Sequence, residues 1–404
     1  MKVITLYYIM KNGRGEQLET ATTTFLHGST AISASLQSQL AGLHPGDRKI
    51  IQLKKGAEGA DDDFTFDVTV TAIRDATPDE LRLGRYLPPV KIHLQSGFLG
   101  AGKTTAIEQA CLLLLKQNTP VAVITNDQGA QLVDGHRFSH LGIPSREVIG
   151  GCFCCNYDYL EENIHSLTST THPSILFAES VGSCTDIIAT VLKPLLLRHP
   201  EWQPTVSIFA DAHLLDDYTA DPSIRYIYDK QLQEAQVLLI TRSEAFSAQW
   251  KQQIQARYPD KIVLFHNSYH EPDIQRWLDT LAALPPCPAL PSLDIDYEIY
   301  AEGEARLAWL DQEIAIDSQQ MANRLMETID NKIKKENYPV GRLKFWLTPT
   351  TLLINARVQT DPHTLSQLVA DAIAETAAQD HRPIHTISHK AFQPGYPRPT
   401  HRLA

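Results

Sequence analysis

Positive charge is scarce in this chain relative to its opposite: 36 lysines and arginines stand against 47 aspartates and glutamates, giving a formal net charge of -11 and a pI near 5.8. Such a surface is not built to neutralise a phosphate backbone, which sets nucleic acid aside as a partner. Long apolar runs are also missing, since no stretch approaches the ~18 uninterrupted apolar residues of a bilayer span, so no membrane segment is expected. Met1 to Tyr8 has a short apolar run with no cleavage-site pattern and reads as a strand. Cysteine is sparse at six in 404 residues, and three of the six crowd into Cys152, Cys154 and Cys155, a poor framework for disulfides. These absences together predict a cytoplasmic protein. Its 43% hydrophobic and 21% charged residues are those of a globular chain with a sizeable core. At ~100 to 200 residues per domain the length allows two to four units, and three are expected.

Residues 1–85 read as a small β-rich domain, with loose alternation from Val3 to Ile9, a Lys-Asn-Gly turn, and clear alternation from Phe64 to Val70. Arg85 to Pro89 is a linker. Over 90–285 short apolar runs recur with helical stretches between them: Val90 to Leu94, Val121 to Ile124, Ser174 to Ala178, Val206 to Ala210, Val237 to Ile240 and Ile262 to Phe265. Strands buried on both faces have this composition, so the fold class is α/β with a mostly parallel, doubly wound central sheet. The proline-rich stretch Leu284 to Pro291 marks a second linker. Over 298–395 the order is strand (Arg306 to Ile316), helix (Ser318 to Lys335), two strands (Gly341 to Leu347, Leu352 to Val358), helix (Pro362 to Ala378) and strand (Pro383 to Phe392). Ser318 and Asp361 serve as N-caps and Pro362 suits the first helical turn. This β-α-β-β-α-β order is the ferredoxin-like α+β motif.

Gly97-Phe98-Leu99-Gly100-Ala101-Gly102-Lys103-Thr104 matches the phosphate-binding pattern G-x-x-x-x-G-K-[ST], after a strand and before a helix. Gly97, Gly100, Ala101 and Gly102 would turn backbone N–H groups toward a β-phosphate at a helix N-terminus, followed by Thr105. Lys103 would reach the β and γ oxygens, and Thr104 would supply a hydroxyl to Mg²⁺. Asp127 and Glu179 fall at strand ends on the same edge, and each could hold Mg²⁺ through water, although an acidic residue there is also a common loop or cap residue. Phosphoryl transfer needs positioning and charge neutralisation, so Lys103, Asp127 and Glu179 are the candidate catalytic groups and no nucleophile is sought.

Cys152, Cys154 and Cys155 lie too close in sequence for easy mutual disulfides, whereas adjacent thiolates ligate Zn²⁺, Cu(I), Ni²⁺ or Co²⁺. Three thiolates leave a shell incomplete, which suits transfer better than storage. Buried inert cysteines are the plainer alternative, but they explain three thiols in four positions poorly. Cys111 and Cys184 are expected to be packed, and His381, His385 and His389 to be solvated edge residues.

Two resemblances follow. Phe25-Leu26-His27-Gly28, Leu40 to Asp47, and Phe66-Asp67-Val68 through Arg74 to Leu81 resemble FKBP-type prolyl isomerases of the SlyD branch. Leu36 stands where that family usually carries Trp, and Lys54 to Gly59 leaves no room for a flap or chaperone lobe, so a docking or dimerising domain is expected. Residues 90–395 resemble the CobW-type metallochaperone GTPases, relatives of UreG and HypB. The likeness rests on Ser96 to Thr105, Val133-Asp134-Gly135, Gly151 to Cys155, Glu179-Ser180-Val181-Gly182, Ala210-Asp211-Ala212, Gln231-Leu232 and Glu234-Ala235. It implies GTP hydrolysis coupled to a Cys-x-Cys-Cys site that passes a transition metal (Zn²⁺, Co²⁺ or Ni²⁺) to a client metalloprotein, and a homodimer across the nucleotide face. Two departures stand out. Thr241-Arg242-Ser243-Glu244 replaces the guanine-reading Asn-Lys-x-Asp, leaving Thr241, Arg242 and Glu244 as base contacts and ATP as well as GTP open. Thr125 and Ala130 stand where relatives often have metal-ligating glutamates. A nucleotide-gated binding scaffold or folding helper with little turnover is the competing reading.

Overall fold

The computed structural model describes residues 1–404 apart from 58–59, 129–132, 201, 217–220 and 286–289; Gly129, Ala130 and the centre of the second linker therefore lie outside the described residues. Two units form by contact, Met1–Pro88 and Pro89–Ala404.

In the first unit, β1 (Lys2–Asn12), β2 (Gln17–Leu26), β3 (Arg48–Leu53) and β4 (Phe64–Asp75) form an antiparallel sheet in the order β2-β1-β4-β3. The Lys-Asn-Gly turn closes the β1–β2 hairpin, with Asn12 Oδ1 accepting from the N–H groups of Arg14 and Glu16 at 3.0 Å each. The alternation read near Phe64 buries Val68 and Val70 with Ile4, Leu6, Phe25, Leu40 and Ile51. The helix Ala34–Leu40, capped by Ser33, covers this face.

In the second unit, β5 (Lys91–Gly97), β6 (Val121–Asp127), β7 (Ser145–Ile149), β8 (Ile175–Glu179), β9 (Gln203–Asp211), β10 (Val237–Thr241) and β11 (Ile262–His266) form a parallel sheet in the order β11-β10-β9-β5-β8-β6-β7. Apolar cores lie on both faces, Leu94, Ala178 and Ile208 on one and Phe177, Phe209 and Val123 on the other, which is why these strands read as unbroken apolar runs. The exception is β7. Its Ser-Arg-Glu-Val-Ile pairs only with β6 at the sheet edge and buries Val148 alone, so it lacks the pattern that reveals its neighbours. Because the strands run parallel, Gly97, Asp127, Glu179, Asp211 and Thr241 end on one edge, where such sheets bind ligands.

The chain continues through a helix not foreseen from sequence, Tyr297–Ala305, which packs on Pro222–Gln233 where Gly303 approaches the Ser223 carbonyl too closely for any side chain. Then β12 (Ala308–Ala315), β13 (Val340–Leu347), β14 (Thr351–Val358) and β15 (His385–Phe392) form an antiparallel sheet ordered β13-β14-β12-β15, the ferredoxin-like arrangement. Ser318 and Asp361 cap the helices Gln319–Lys335 and Pro362–Asp380 as expected. These helices cover one face of the sheet with Leu325, Ile329, Leu365 and Val369. Among the described residues no helix is long and apolar enough to cross a membrane.

The opposite face of this sheet carries Asp311, Arg342, Lys344, Asn355 and Arg357 and is turned onto the end of β6. Arg357 is fully buried, donates to Asp127 at 2.8 Å and to Asp311 at 2.9 Å, and lies 4.1 Å over the Trp309 ring. Removing one member of a buried ion network strands the others, at a cost of about 3–5 kcal/mol. Arg357→Ala is therefore expected to lower the stability of the 89–404 unit by about that amount in denaturant titration. Truncating the exposed Lys116, paired with Glu271 at 3.2 Å, should cost well under ~1 kcal/mol; equal effects at the two positions would refute the network.

Candidate functional site

The loop 98–102 leaves β5 and enters the helix Lys103–Lys116 with Gly97, Gly100 and Gly102 at φ of +124°, +75° and +88°. Gly97 has a second reason to be glycine, because a Cβ there would sit 2.1 Å from the Phe209 carbonyl oxygen. Lys103 folds back over the loop, its Nζ donating to the carbonyls of Gly97 at 2.6 Å and Phe98 at 3.2 Å. Burial pulls its pKa down to about 8. Thr104 and Glu179 meet as the sequence suggests: the Thr104 hydroxyl lies 2.8 Å from both carboxylate oxygens. A hydroxyl and a carboxylate in contact on the phosphate side of the loop are hard oxygen donors of the kind Mg²⁺ takes.

Asp127 stands elsewhere than expected. Arg357 holds it at 2.8 Å and Arg342 at 3.4 Å, which makes it the anchor of the C-terminal sheet rather than a neighbour of Thr104. On β10, Thr241 Oγ1 donates to the Ala101 carbonyl at 3.1 Å, so it supports the loop from beneath. Arg242, at φ +55°, pairs with Asp211 at 2.7 Å and donates to the Gly100 carbonyl, while Glu244 is exposed. Thr105 is half-buried one residue along the helix.

The cysteine loop follows β7. Cys152 and Cys154 are buried, and their sulfurs join that of Cys184 in a cluster with every ligand atom within 4.8 Å of the others. Zinc–sulfur bonds of ~2.3 Å at tetrahedral angles place sulfurs ~3.8 Å apart, so small adjustments would let all three bind one ion. The trio expected from sequence is thus changed in one member. Cys184, expected to be packed, completes the cluster. Cys155 lies beside it, 3.4 Å from Cys152 and 3.8 Å from Cys154, with its sulfur accepting from the Arg398 N–H at 3.2 Å. Hydrogen bonds from the Cys152 and Cys154 thiols pull Cys184 down to about 6, whereas Cys155 is pushed up to about 11. Among the described residues this is the only compact cluster of metal-ligating side chains; His389 instead bonds Gln312 and Ser366 at 3.1 Å each.

Sequence reasoning did not find the residue that joins these parts. Asn126, buried on β6, donates from Nδ2 to the carbonyls of Val148 at 2.9 Å and Gly151 at 2.7 Å, and its Oδ1 accepts from Phe153 N at 2.9 Å and Val181 N at 3.4 Å. One side chain thereby ties the cysteine loop to the turn after Glu179. That turn ends at Cys184, whose carbonyl accepts from Ser96 Oγ at 3.2 Å and Gln231 Nε2 at 2.8 Å. Glu304 backs the same turn. Burial pushes its carboxyl up to about 8, and Ser183 and Gln128 donate to it. No local pattern announces Asn126; the one clue to Cys184 is its place five residues after Glu179.

In the N-terminal unit an apolar cavity of about 340 Å³ is lined by Leu6, Tyr8, Leu36, Phe66 and Val68 among others, with Leu36 in its wall.

Comparison with known proteins bears on the central region. Residues 91–262 match the family model of the CobW/HypB/UreG nucleotide-binding domain. The zinc chaperone YeiR of Escherichia coli (strain K12) is 28% identical over 171 residues, 41% of this chain and 50% of YeiR, so the chain spans about half the length of this curated relative. Among solved structures, HypB from Helicobacter pylori in complex with nickel aligns with TM-score 0.37 and 15% identity over 50% of this chain and 89% of its own. Zn(II)-bound YjiA GTPase from E. coli aligns with TM-score 0.35 and 14% identity over 71% of this chain and 99% of its own. The glycine loop, the Thr104–Glu179 pair and the buried thiols all lie inside the region, residues 91–262, that is similar to the CobW/HypB/UreG nucleotide-binding domain.

Proposed function

We propose that this protein is a GTP-hydrolysing metal chaperone that carries a transition metal, Zn²⁺ foremost, on Cys152, Cys154 and Cys184 and passes it to a client protein. The observation that carries the reading is the single turn from Glu179 to Cys184. At one end a carboxylate meets the Thr104 hydroxyl; at the other a thiol meets Cys152 and Cys154. YeiR is named a zinc chaperone, and the comparison with it favours zinc among the metals these thiols suit.

The chain's own groups divide the work. Loop amides between 97 and 104 and the Lys103 ammonium grip the phosphates of the substrate GTP, and Thr241 and Arg242 hold the loop in shape from below. Thr104 and Glu179 would hold Mg²⁺, which neutralises charge developing on the transferring phosphoryl group. Binding or loss of the γ-phosphate shifts Glu179, and the shift is carried along the turn to Cys184. Asn126 holds the cysteine loop and its beginning to β6 by three hydrogen bonds of 2.7, 2.9 and 2.9 Å and the turn by one of 3.4 Å at Val181, so motion of the turn beyond Val181 would alter the distance among the three sulfurs. A thiolate site so altered grips or releases its cargo. Coupling of this kind is reciprocal: bound metal must change nucleotide affinity by the factor that nucleotide changes metal affinity.

Three outcomes test this. Lys103→Ala should reduce GTP hydrolysis at least ~100-fold, since it removes a cation from the phosphates; a wild-type chain without turnover would instead favour the nucleotide-gated scaffold. In chelator competition the protein should bind one zinc ion, with Cys184→Ser weakening it by more than the ~10–100-fold that even loss of an outer-sphere partner costs, and Cys155→Ser having a smaller effect. The reverse order would return the site to Cys155. Nucleotide affinity should fall as pH rises from 7 to 9, because Lys103 loses its proton near pH 8 and only the ammonium attracts phosphate. Lys103→Arg, charged throughout, should flatten that profile in a titration with a fluorescent GDP analogue; a profile that stays steep assigns the pH dependence to another group.

A further inference from the structure

The C-terminal sheet contributes more to the phosphate site than an anchor. Edge strand β13 pairs only with β14, and its alternate residues Arg342, Lys344 and Trp346 share one face. All three reach the helix Val133–His140 or its surroundings. Trp346 stacks on His136 with ring centroids 6.2 Å apart and meets His140 edge-on at 6.0 Å. Arg342 and Lys344 converge on Asp134, the latter at 2.6 Å. Lys344 Nζ then donates to Thr104 Oγ1 at 2.9 Å, so the hydroxyl that already contacts Glu179 also accepts from a residue 240 positions further along the chain.

Such an arrangement is costly as mere packing. Lys344 is a quarter exposed and Arg342 about a tenth, and desolvating cations beside the buried Lys103 is unfavourable unless anions compensate. Asp127 lies 3.4 Å from Arg342, and among the described residues the carboxylate paired with Lys344 is Asp134, which it shares with Arg342. A triphosphate seated on the loop brings further negative charge to the Thr104 side, where Lys344 already points. From this geometry we infer that Lys344 is a phosphate-binding cation supplied in cis by the C-terminal sheet, held near Thr104 by Asp134 and engaged by the terminal phosphate of a bound nucleoside triphosphate. Phosphate and Asp134 compete for one ammonium, and the prize of that competition is the seat of β13 on the helix Val133–His140. The C-terminal sheet thereby senses whether the third phosphate is present. The inference rests on nucleotide binding at residues 97–104.

The test uses the full chain with fluorescent GDP and a fluorescent non-hydrolysable GTP analogue. Lys344→Met should weaken the triphosphate ~10-fold or more, the worth of a charge-assisted hydrogen bond, and the diphosphate less than ~3-fold; retained diphosphate binding shows that the variant is folded. Lys344→Arg should stay within ~3-fold of wild type for both, and Asp134→Asn should strengthen the triphosphate by freeing the cation. Tighter binding of both nucleotides by Lys344→Met would mean that Lys344 merely blocks the site, and it would overturn the assignment, as would equal weakening or no change. If the wild-type chain bound neither nucleotide, the failure would lie with the nucleotide-binding reading itself.

Discussion

Four hydrogen bonds from one buried amide hold the functional edge of the molecule together. Asn126 gives both of its N–H bonds to carbonyls of the cysteine loop and its beginning, and accepts from one N–H in that loop and one in the turn after β8. The two segments share no other strand or helix, and both are irregular backbone with polar groups that would be stranded on burial. A side chain with two donors and an acceptor oxygen satisfies them together, which an apolar or single-function residue does not. The thiol cluster is therefore buried and still connected to the glycine loop: Cys184 closes the turn that starts at Glu179, and Asn126 joins that turn to the loop carrying Cys152 and Cys154.

The elements most readable in sequence are those whose burial is symmetrical or whose chemistry is local. The five inner strands bury both faces and so appear as apolar runs, the loop from Gly97 to Thr104 is a contiguous motif, and Ser318 and Asp361 cap their helices within three residues of themselves. β7 escaped notice because an edge strand with a single buried valine has no periodicity. The helix Tyr297–Ala305 escaped because its stabilisation comes from close contact with Pro222–Gln233 rather than from a wide apolar stripe. The site itself was half legible. Thr104 belongs to the contiguous loop motif and Glu179 ends β8, and the structure puts the two in contact, whereas Cys184, Lys344 and Asp134 enter through contacts 30 to 240 residues apart in sequence, where no spacing rule reaches.

Asp127 illustrates why an acidic residue at a strand end is ambiguous. It lies on the same edge as Glu179, one strand over, and the central sheet alone treats the two alike. What separates them is the second sheet. Arg357 and Arg342 claim Asp127 and leave Glu179 to Thr104, so the C-terminal sheet decides which carboxylate remains available to a metal ion. A buried arginine facing two aspartates and an indole is an expensive way to join two layers, and it is specific in return: the charges fit in one register only.

Burial of the thiols places a last constraint on how anything reaches them. Cys152 and Cys154 are nearly inaccessible, and the segment from Arg398 to Leu403 lies across their loop, with Thr400 bonding the backbone of Cys154 and Cys155 and Leu403 that of Ala189. In the metal-carrying role proposed above, exchange at these buried sulfurs requires the segments around them to move. The strap from Arg398 to Leu403 is held by backbone hydrogen bonds, by Ser292 on the Leu403 carbonyl at 2.7 Å, by His401 at 3.4 Å from Asp158 and by Arg402 at 2.7 Å from the buried Asp186. The turn is held by Asn126, Gln231, Ser96 and the buried carboxyls of Glu234 and Glu304, and it begins at Glu179, in contact with Thr104 of the glycine loop. In that proposed role the turn would link nucleotide state to the sulfurs, while the strap would limit access to them.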